Sequence, residues 1–419
     1  MAANAYRNVR WITRDPLRML LNQLKMSEYF NTDENKNFQQ EFKIGDTAEV
    51  RLPQRWLIRD GAAYQAQGVT NRYTTVSMDQ FFGVDWEFSS AEAVLNLDDR
   101  DGARFVKSNS TMFETCMAQL ANEVDRRCAQ WALFNANNVV GTLGTAVTTL
   151  LPYHRARQRL AEKSCPTGMK GVMITPSMTT DIAANNLTIF NPTQEVSMQY
   201  KEGVVGMAAG ATWFEENNLQ QVTAGNQAGA VTVNGSGQSG STLAITATAG
   251  DTFLRGDRFS IGAVRQVNPM SRLAQGTNQN FIVTQDLTAV GAGNAADVLQ
   301  ISAGNQGIVG PGDQYQNVNA LPLTGATLTM WPGTTTPSNV TGALGFMLHR
   351  NAFLMVGGKL PVPNAVEIAS SERDPVSGIT LRFIRQYDGV VERWINRWDV
   401  LLGFGNAYPD NCACAIAGV

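Results

Sequence analysis

The sequence is poor in charged residues. Of its 419 residues only 16% are Asp, Glu, Lys or Arg, whereas an average soluble domain has about 25%. The formal net charge at pH 7 is −3. Tight binding to nucleic acid requires a basic surface that neutralises phosphates, so the composition excludes a protein that binds DNA or RNA mainly through charge. A low charge density instead favours a subunit that buries much of its surface against neighbours.

Features of secreted and membrane proteins are also absent. No run approaches the roughly 18 apolar residues of a membrane span, and the first 14 residues lack the apolar core of a signal peptide. The five cysteines are an odd number without paired spacing, which argues against a disulfide framework; they are Cys116, Cys128, Cys165, Cys412 and Cys414. We therefore expect a cytosolic product with reduced thiols.

One long segment contains neither lysine nor glutamate. Between Gln221 and Val340 only nine of 120 residues are charged, and 17 of the 38 glycines lie there. Short runs rich in Thr, Val and Ile alternate with turn residues, as in antiparallel sheets. The predicted strands are Ala230–Val233, Thr242–Thr248, Arg258–Val264, Asn280–Thr284, Val298–Ser302 and Ala326–Met330. We predict an inserted all-β domain, a small barrel or sandwich.

The strongest helical pattern covers about Thr111 to Asn135. Thr111 and Glu114 match a capping box at its start. Apolar residues recur at steps of three and four along one face; they are Phe113, Met117, Leu120, Val124, Cys128 and Trp131. At 1.5 Å per residue the helix would be about 37 Å long. Such a rod is long for a globular domain and suits a flat subunit.

Weaker patterns predict the other helices and strands, which lie before and after the β-rich segment. Asp15-Pro16 is a favourable helix start, followed by an apolar stripe of Leu17, Leu20, Leu21 and Leu24. Leu57–Gly68 predicts an extended loop. Further helices are predicted at Tyr153–Lys163 and Ser177–Ala184. Strand-like patterns cover Glu41–Val50, Val69–Phe88, Gly171–Thr175, Gly203–Phe214, Leu344–Leu348, Val366–Ile368, Ile379–Tyr387 and Trp394–Leu402.

Candidate chemical motifs lack the partners that their chemistry needs. Gly235–Gly240 matches G-x-G-x-x-G, but a predicted strand follows where dinucleotide binding needs a helix, so we predict a hairpin tip. His154, Cys165 and Asp181 could supply a base, a nucleophile and an orienting acid, yet no oxyanion signature surrounds the cysteine.

The terminal motif Cys412-Ala413-Cys414 could give two metal ligands, whereas a structural zinc site takes four and the chain has only two histidines. We predict that both thiols lie on a terminal strand and pack as small apolar groups. The sequence predicts no catalytic residue, no cofactor and no metal site.

Two segments are candidates for contacts between subunits. The extended loop contains Arg59 and Asp60, which we expect to reach over a neighbouring copy. Near the N-terminus, a basic arm could meet an acidic patch on a neighbour or a scaffold, although a solvated helix face is equally compatible with the pattern. The arm consists of Arg7, Arg10, Arg14 and Arg18.

The order of parts along the chain is a helical arm, an extended loop, a long helix, an α/β region, a β insertion and C-terminal strands. The most distinctive local stretches are Thr246–Asp251 with Arg255–Ile261, Ala343–Phe353, Asn396–Gly403, Tyr408-Pro409 and Ala415–Ala417. In this order and in these stretches the chain resembles the major capsid protein of short-tailed phages of the Salmonella type. The Gly235–Ser241 tip departs from the charged inter-capsomer loop known in that family.

The resemblance implies an α+β fold of the Hong Kong ninety-seven phage capsid type. That fold has an N-terminal arm, an extended loop, a spine helix, and peripheral and axial domains, here with an inserted all-β barrel. We divide the chain accordingly into six parts. The arm is 1–40, the extended loop and peripheral domain with the spine helix are 41–138, and the first part of the axial domain is 139–220. The inserted all-β domain is 221–340, the return through the peripheral domain is 341–385, and the C-terminal strands of the axial domain are 386–419.

The resemblance also implies the function. We expect a major capsid protein, not an enzyme, that assembles in the host cytoplasm into pentamers and hexamers of an icosahedral head around double-stranded DNA. The implied partners are other copies of the chain, a scaffolding protein, a portal protein and weakly contacted DNA, with no membrane. A phage tail or fibre subunit is the alternative, which the long helix disfavours because tail proteins are usually β-dominated throughout.

Overall fold

The computed structural model describes residues 17, 20, 24–33, 45–64, 66–68, 72–89, 111–186, 207–291, 293–301, 307–331, 333–364, 366–374 and 377–419. The chain forms two compact units. The first contains the described residues of Met1–Val50, Thr75–Cys128 and Leu354–Gly405, and the second those of Arg51–Thr74, Ala129–Phe353 and Asn406–Val419. Among the helices so described, none combines the length and the apolar content needed to cross a membrane.

The helices confirm the main helical predictions. They are α1 (Thr111–Asn135), α2 (Leu151–Glu162), α3 (Pro176–Asn186) and α4 (Pro409–Cys412), with a 3-10 turn at Ser27–Tyr29. In α1, Met117, Leu120 and Val124 of the predicted apolar face are buried, because side chains three and four residues apart share one side of a helix.

The strands are β1 (Thr47–Leu52), β2 (Arg72–Ser89), β3 (Asn138–Gly141), β4 (Lys170–Ile174), β5 (Met207–Ala208), β6 (Ala211–Glu215), β7 (Gln221–Thr223), β8 (Thr232–Val233), β9 (Thr242–Thr246), β10 (Thr252–Phe253), β11 (Arg258–Val267), β12 (Ala274–Ile282), β13 (Leu287–Thr288), β14 (Val298–Gln300), β15 (Leu328–Met330), β16 (Thr341–His349), β17 (Phe353–Gly358), β18 (Ile368–Arg373), β19 (Thr380–Asp388), β20 (Arg393–Asn406) and β21 (Ala413–Ala417). Together with the helices they make the chain a mixed α+β protein, as predicted.

A six-stranded sheet organises the first unit. Its order is β1-β2-β20-β19-β18, and β17 also pairs with β20. The burial of β1 alternates residue by residue, as expected for a strand with one covered face. In the middle of β20, the buried Asp399 accepts hydrogen bonds from Arg382 and Arg397. These two guanidinium groups satisfy a carboxylate that burial alone would destabilise.

A seven-stranded sheet lies in the second unit. Its order is β3-β21-β16-β4-β6-β5, and β7 also pairs with β16. The central strand β16 is buried along its length after Thr341, which explains the uninterrupted apolar run in its sequence. Its register joins Leu348 to both Gly171 of β4 and Ala413 of β21.

The β-rich segment forms three small antiparallel sheets, with orders β12-β11-β15, β14-β9-β8 and β10-β13. Their apolar side chains share one buried core that includes Leu243, Phe259 and Leu299. The predicted hairpin tip at Gly235–Gly240 is confirmed, because it connects β8 to β9 and these strands pair antiparallel. The six-part domain division remains a prediction.

Three predicted details are wrong. Cys412 ends α4 instead of lying on the terminal strand, because Pro409 starts a helical turn there. The strand predicted at Val366–Ile368 begins only at Ile368. The strand predicted at Asn280–Thr284 is the end of the longer β12, whose polar first half pairs with β11.

Candidate functional site

The segment predicted to be an extended loop is closed at its base by one side chain. The amide of Gln67 accepts a hydrogen bond from the Leu57 backbone nitrogen at 2.8 Å and donates to the Leu57 carbonyl at 2.5 Å. Within the loop, Nη1 of Arg59 donates to the Ala63 carbonyl at 2.8 Å. We call residues 57–67 the closed loop, since these contacts hold its ends together without a strand ladder.

The closed loop and the residue before it expose large apolar side chains. Trp56 is 55% exposed, Ile58 is 91% exposed and Tyr64 is 86% exposed. Large apolar side chains that are exposed within one short segment are typical of surfaces that bind other proteins. Arg59 and Asp60 are also exposed there, so charged groups accompany the apolar ones.

The segment after the closed loop is anchored on the β-rich segment of the same unit. Nε2 of Gln314 donates to the Gly68 carbonyl at 2.8 Å. The guanidinium of Arg72 lies 4.3 Å from the ring centre of Tyr315, an attractive contact between a cation and an aromatic ring. These contacts attach the loop to structured backbone and limit the directions in which it can point.

A buried arginine joins the end of α1 to the start of β11. Arg258 donates hydrogen bonds of 2.7 Å to the carbonyls of both Leu133 and Ala136. Those carbonyls lie at or just beyond the last turn of a helix and have no partner within it. Burial lowers the pKa of Arg258 to about 10, so the group stays charged at neutral pH. Its neighbour Arg255 lies over the ring of Phe134, 4.5 Å from the centre.

A buried polar network surrounds Lys163. Its Nζ donates to Oδ1 of Asp410 at 2.6 Å and to Oδ1 of Asn138 at 2.8 Å. Nε2 of Gln279 donates to the same Asp410 oxygen at 2.8 Å. The network joins residues on or beside α2, β3, β12 and α4, and the hydrogen bonds to Asp410 and Asn138 offset the cost of burying the Lys163 ammonium.

A second exposed apolar group lies at the turn between β19 and β20, in the first unit. Val390 is 94% exposed, and Val391 beside it is also exposed. Tyr387 of β19 and Trp394 of β20 contact each other with tilted rings whose centres are 4.9 Å apart. Arg393 of β20 also forms an ion pair with Glu87 of β2. The sequence analysis did not select this turn, although two adjacent valines beside a glycine signal an apolar tip.

The residues predicted from the sequence as contact sites have different outcomes. Arg59 and Asp60 lie on the exposed closed loop, and their contact with another subunit remains a prediction. The basic arm lies outside the described residues; its members are Arg7, Arg10, Arg14 and Arg18. Of the weighed catalytic set, His154 is exposed on α2, whereas Cys165 is buried beside Cys412 and His349.

Comparison with known proteins identifies one family. The sequence profile described as P22 coat protein (gene protein 5) matches residues 95–418. No curated protein sequence matches the chain.

Among solved structures, one from Mycobacterium phage Che8 is 11% identical, with 94% of this chain and 90% of that chain covered and a TM-score of 0.47. The capsid structure of the cyanophage P-SCSP1u is 11% identical, with 91% and 85% covered and a TM-score of 0.42. The CUS-3 coat protein I-domain is 21% identical, with 25% of this chain and 96% of that chain covered and a TM-score of 0.19.

The profile match covers most of the chain, and large apolar side chains are exposed on the closed loop and at the turn between β19 and β20. The chain belongs to the P22 coat protein family and is the major capsid protein of a tailed-phage head.

Proposed function

We propose that copies of this capsid protein associate through the closed loop to form the pentamers and hexamers of an icosahedral head that encloses double-stranded DNA. The supporting observation is the exposure of Trp56, Ile58 and Tyr64 on a loop whose ends are bonded through Gln67. A loop constrained before binding loses less conformational entropy when it binds. Many weak contacts per subunit then add up to a stable closed shell.

We further propose that the fold is of the Hong Kong ninety-seven type. In this assignment α1 is the spine helix, residues 1–40 are the arm, and the two larger sheets belong to the peripheral and axial domains. Residues 221–340 are the inserted all-β barrel, which the shared core of three small sheets supports. The chain is a structural subunit and not an enzyme.

The proposed partners beyond other copies of the chain are a scaffolding protein, a portal protein and the packaged DNA, with assembly in the host cytoplasm. The net charge of −3 fits weak contact with DNA, because strong binding would require neutralised phosphates. The basic arm is the proposed contact with the scaffold or a neighbour. Deleting residues 1–20 should impair co-assembly with the scaffold; normal shells of normal size would exclude the arm from that role.

The closed loop is tested with Ile58→Asp and Tyr64→Asp in the full chain. Each places a charge where an apolar contact is proposed, so each should reduce the yield of shells at least tenfold and leave small oligomers in sedimentation velocity. Leu151→Asp is the matched control, since Leu151 is also exposed and an acidic residue in the first turn suits a helix.

Negative-stain microscopy distinguishes the outcomes. Round closed shells from the wild type and the control, with none from the loop variants, support the proposal. Shells from the loop variants at wild-type yield would refute the role of the loop. Tubes or spikes from the wild type would favour the tail or fibre alternative.

A further inference from the structure

The register of the seven-stranded sheet brings three separate parts of the chain together at the ends of neighbouring strands. His349 is the last residue of β16 and pairs with Lys170, the first residue of β4. Leu348 pairs with Ala413, the first residue of β21. Cys412 directly precedes β21, and Cys165 lies in the turn before β4. The ends of antiparallel neighbours coincide, so these chain segments meet although they are far apart in sequence.

Three side chains that can donate electron pairs to a metal lie close together at these strand ends. One donor atom from each of Cys165, His349 and Cys412 lies within 4.8 Å of the other two. The residues are buried, with 8%, 6% and 2% of their surfaces exposed respectively. In a tetrahedral site with bonds of roughly 2.0–2.3 Å, ligand atoms are about 3.3–3.8 Å apart. Small movements of the three side chains would bring their donor atoms to this tetrahedral spacing.

Backbone hydrogen bonds hold each of the three donors in place. The Cys165 nitrogen donates to the Leu160 carbonyl at 2.9 Å, which fixes the turn after α2. The Cys412 nitrogen donates to the Tyr408 carbonyl at 3.0 Å within α4. The His349 carbonyl accepts from the Ala352 nitrogen at 2.8 Å. The cluster is therefore built on rigid backbone, as a binding site requires.

We propose that Cys165, His349 and Cys412 form a binding site for a divalent cation of the zinc class. Two sulfur donors and one imidazole nitrogen are the ligand set that zinc prefers over the hard oxygen ligands of magnesium or calcium. A solvent molecule would complete the fourth position, and the turn at 166–169, directly after Cys165, is exposed.

Charge balance at the site fits two thiolates and one divalent cation. Lys170 is the nearby cation that acts on both cysteines and on the histidine. Its ammonium group favours negative sulfur, whereas the hydrogen bond with Cys165 and burial raise the pKa of the Cys412 thiol until a cation binds. With two thiolates bound, the metal centre is neutral, so Lys170 faces no net positive charge.

Metal binding requires one change in the histidine. The Asn351 nitrogen donates to Nδ1 of His349 at 3.1 Å. Coordination through Nδ1 replaces that bond directly. Coordination through Nε2 places the proton on Nδ1, which then cannot accept from Asn351. The loaded site therefore lacks this hydrogen bond whichever nitrogen binds, and one neutral hydrogen bond is weak beside two metal–thiolate bonds.

A bound cation would connect the turn after α2, the end of β16 and the start of β21. Because the unfolded chain does not hold these three donors together, the free energy of binding adds to the stability of the fold. The site would thus fasten the C-terminal strand to the sheet in every subunit of the shell.

The test uses Co²⁺ as the probe on full-length, unassembled subunits that have been reduced and then freed of metal. We expect one Co²⁺ per chain, with thiolate-to-cobalt charge-transfer absorption and the visible bands of tetrahedral cobalt, and displacement by one equivalent of Zn²⁺. Cys165→Ser and Cys412→Ser should each lower the Co²⁺ affinity at least a hundredfold, and His349→Ala at least tenfold. Cys116→Ser, at the half-buried cysteine of α1, is the matched control and should bind as the wild type does.

Wild-type protein that shows no charge-transfer absorption with Co²⁺ would overturn the proposal, and this result needs no variant to fold. Undiminished cobalt binding by a folded double variant Cys165→Ser/Cys412→Ser would overturn it as well. So would a Cys165–Cys412 disulfide found by peptide mapping of freshly isolated subunits, because oxidised sulfur cannot ligate the cation. A drop in the thermal midpoint of the wild type on chelation, absent in Cys165→Ser, would support it.

Discussion

Lys163 and Asp410 form an ion pair of 2.6 Å between side chains that are only 2% and 5% exposed. Burial lowers the pKa of Lys163, whereas Asp410 raises it. The pair therefore stabilises the fold only while both partners are present, since a lone buried charge is costly.

Removal of one partner should be more harmful than removal of both. Lys163→Met leaves Asp410 buried without its cation, and we expect a loss of about 3–5 kcal/mol in the free energy of unfolding. The double variant Lys163→Met/Asp410→Leu should recover part of this loss, as a double-mutant cycle in denaturant would measure. A double variant whose loss equals the sum of the separate losses of Lys163→Met and Asp410→Leu would show that the pair is not coupled.

Arg258 should be essential for the end of α1. Arg258→Met removes the donors for the Leu133 and Ala136 carbonyls, and each carbonyl left without a donor costs about 1–3 kcal/mol. Hydrogen exchange of residues 129–136 should accelerate at least tenfold. Arg255→Met is the control, because its contact with Phe134 is made by an exposed side chain, and its exchange should stay within a factor of about three. Similar exchange in the two variants would contradict the assignment.

The stability of the second unit should depend on the ionisation of Asp257. Burial raises the pKa of this carboxyl from 3.8 to about 6, although the backbone nitrogens of Leu254 and Gly225 donate to it. A raised pKa in the folded state means that the group contributes most stability below pH 4 and loses that contribution as the pH rises through 6. The shift corresponds to about 3 kcal/mol.

Denaturation of the wild type and of Asp257→Asn between pH 4 and pH 7 would measure this effect. The wild type should gain stability relative to the variant as the pH falls, because only the wild type takes up the proton. Parallel curves over this range would contradict the expectation.

Gly83 should tolerate no side chain. A Cβ at this position would lie 2.2 Å from the Trp398 carbonyl oxygen in the neighbouring strand β20. Gly83→Ala should therefore shift the strands apart and destabilise the protein by about 2–4 kcal/mol. At Gly68 the same added atom meets nothing within 4 Å, so Gly68→Ala should be nearly neutral. Thermal unfolding of the two variants would make the comparison, and equal midpoints would contradict it.

Local patterns were sufficient to predict α1 and the alternation of strands and turns in the β-rich segment. In α1 the apolar spacing and the start signal agree over 25 residues, and such long periodic segments leave little ambiguity. The strand β17 was missed because it is buried at every position, and an apolar run of six residues has no period that separates strand from helix. The strands β10 and β13 have only two residues each.

Contacts between distant residues could not be predicted from the sequence. Lys163 and Asp410 are separated by 247 positions, and only the order of strands around β16 brings them together. For the same reason Cys412 was considered with Cys414, its neighbour in the sequence, whereas the sheet places it beside Cys165 and His349. The sequence analysis selected the loop for Arg59 and Asp60, whereas its closure by Gln67 depends on backbone geometry.

The absence of lysine between Gln221 and Val340 gives the β-rich segment a distinctive chemical behaviour. Reagents that modify amines cannot label it, and trypsin can cut it only after four arginines. Of these, Arg258 is buried and its backbone is engaged in β11, whereas Arg255 and Arg265 are exposed. Digestion of folded subunits should therefore release few peptides from this segment. Amine-reactive dyes can thus report on the rest of the particle and leave this segment unlabelled.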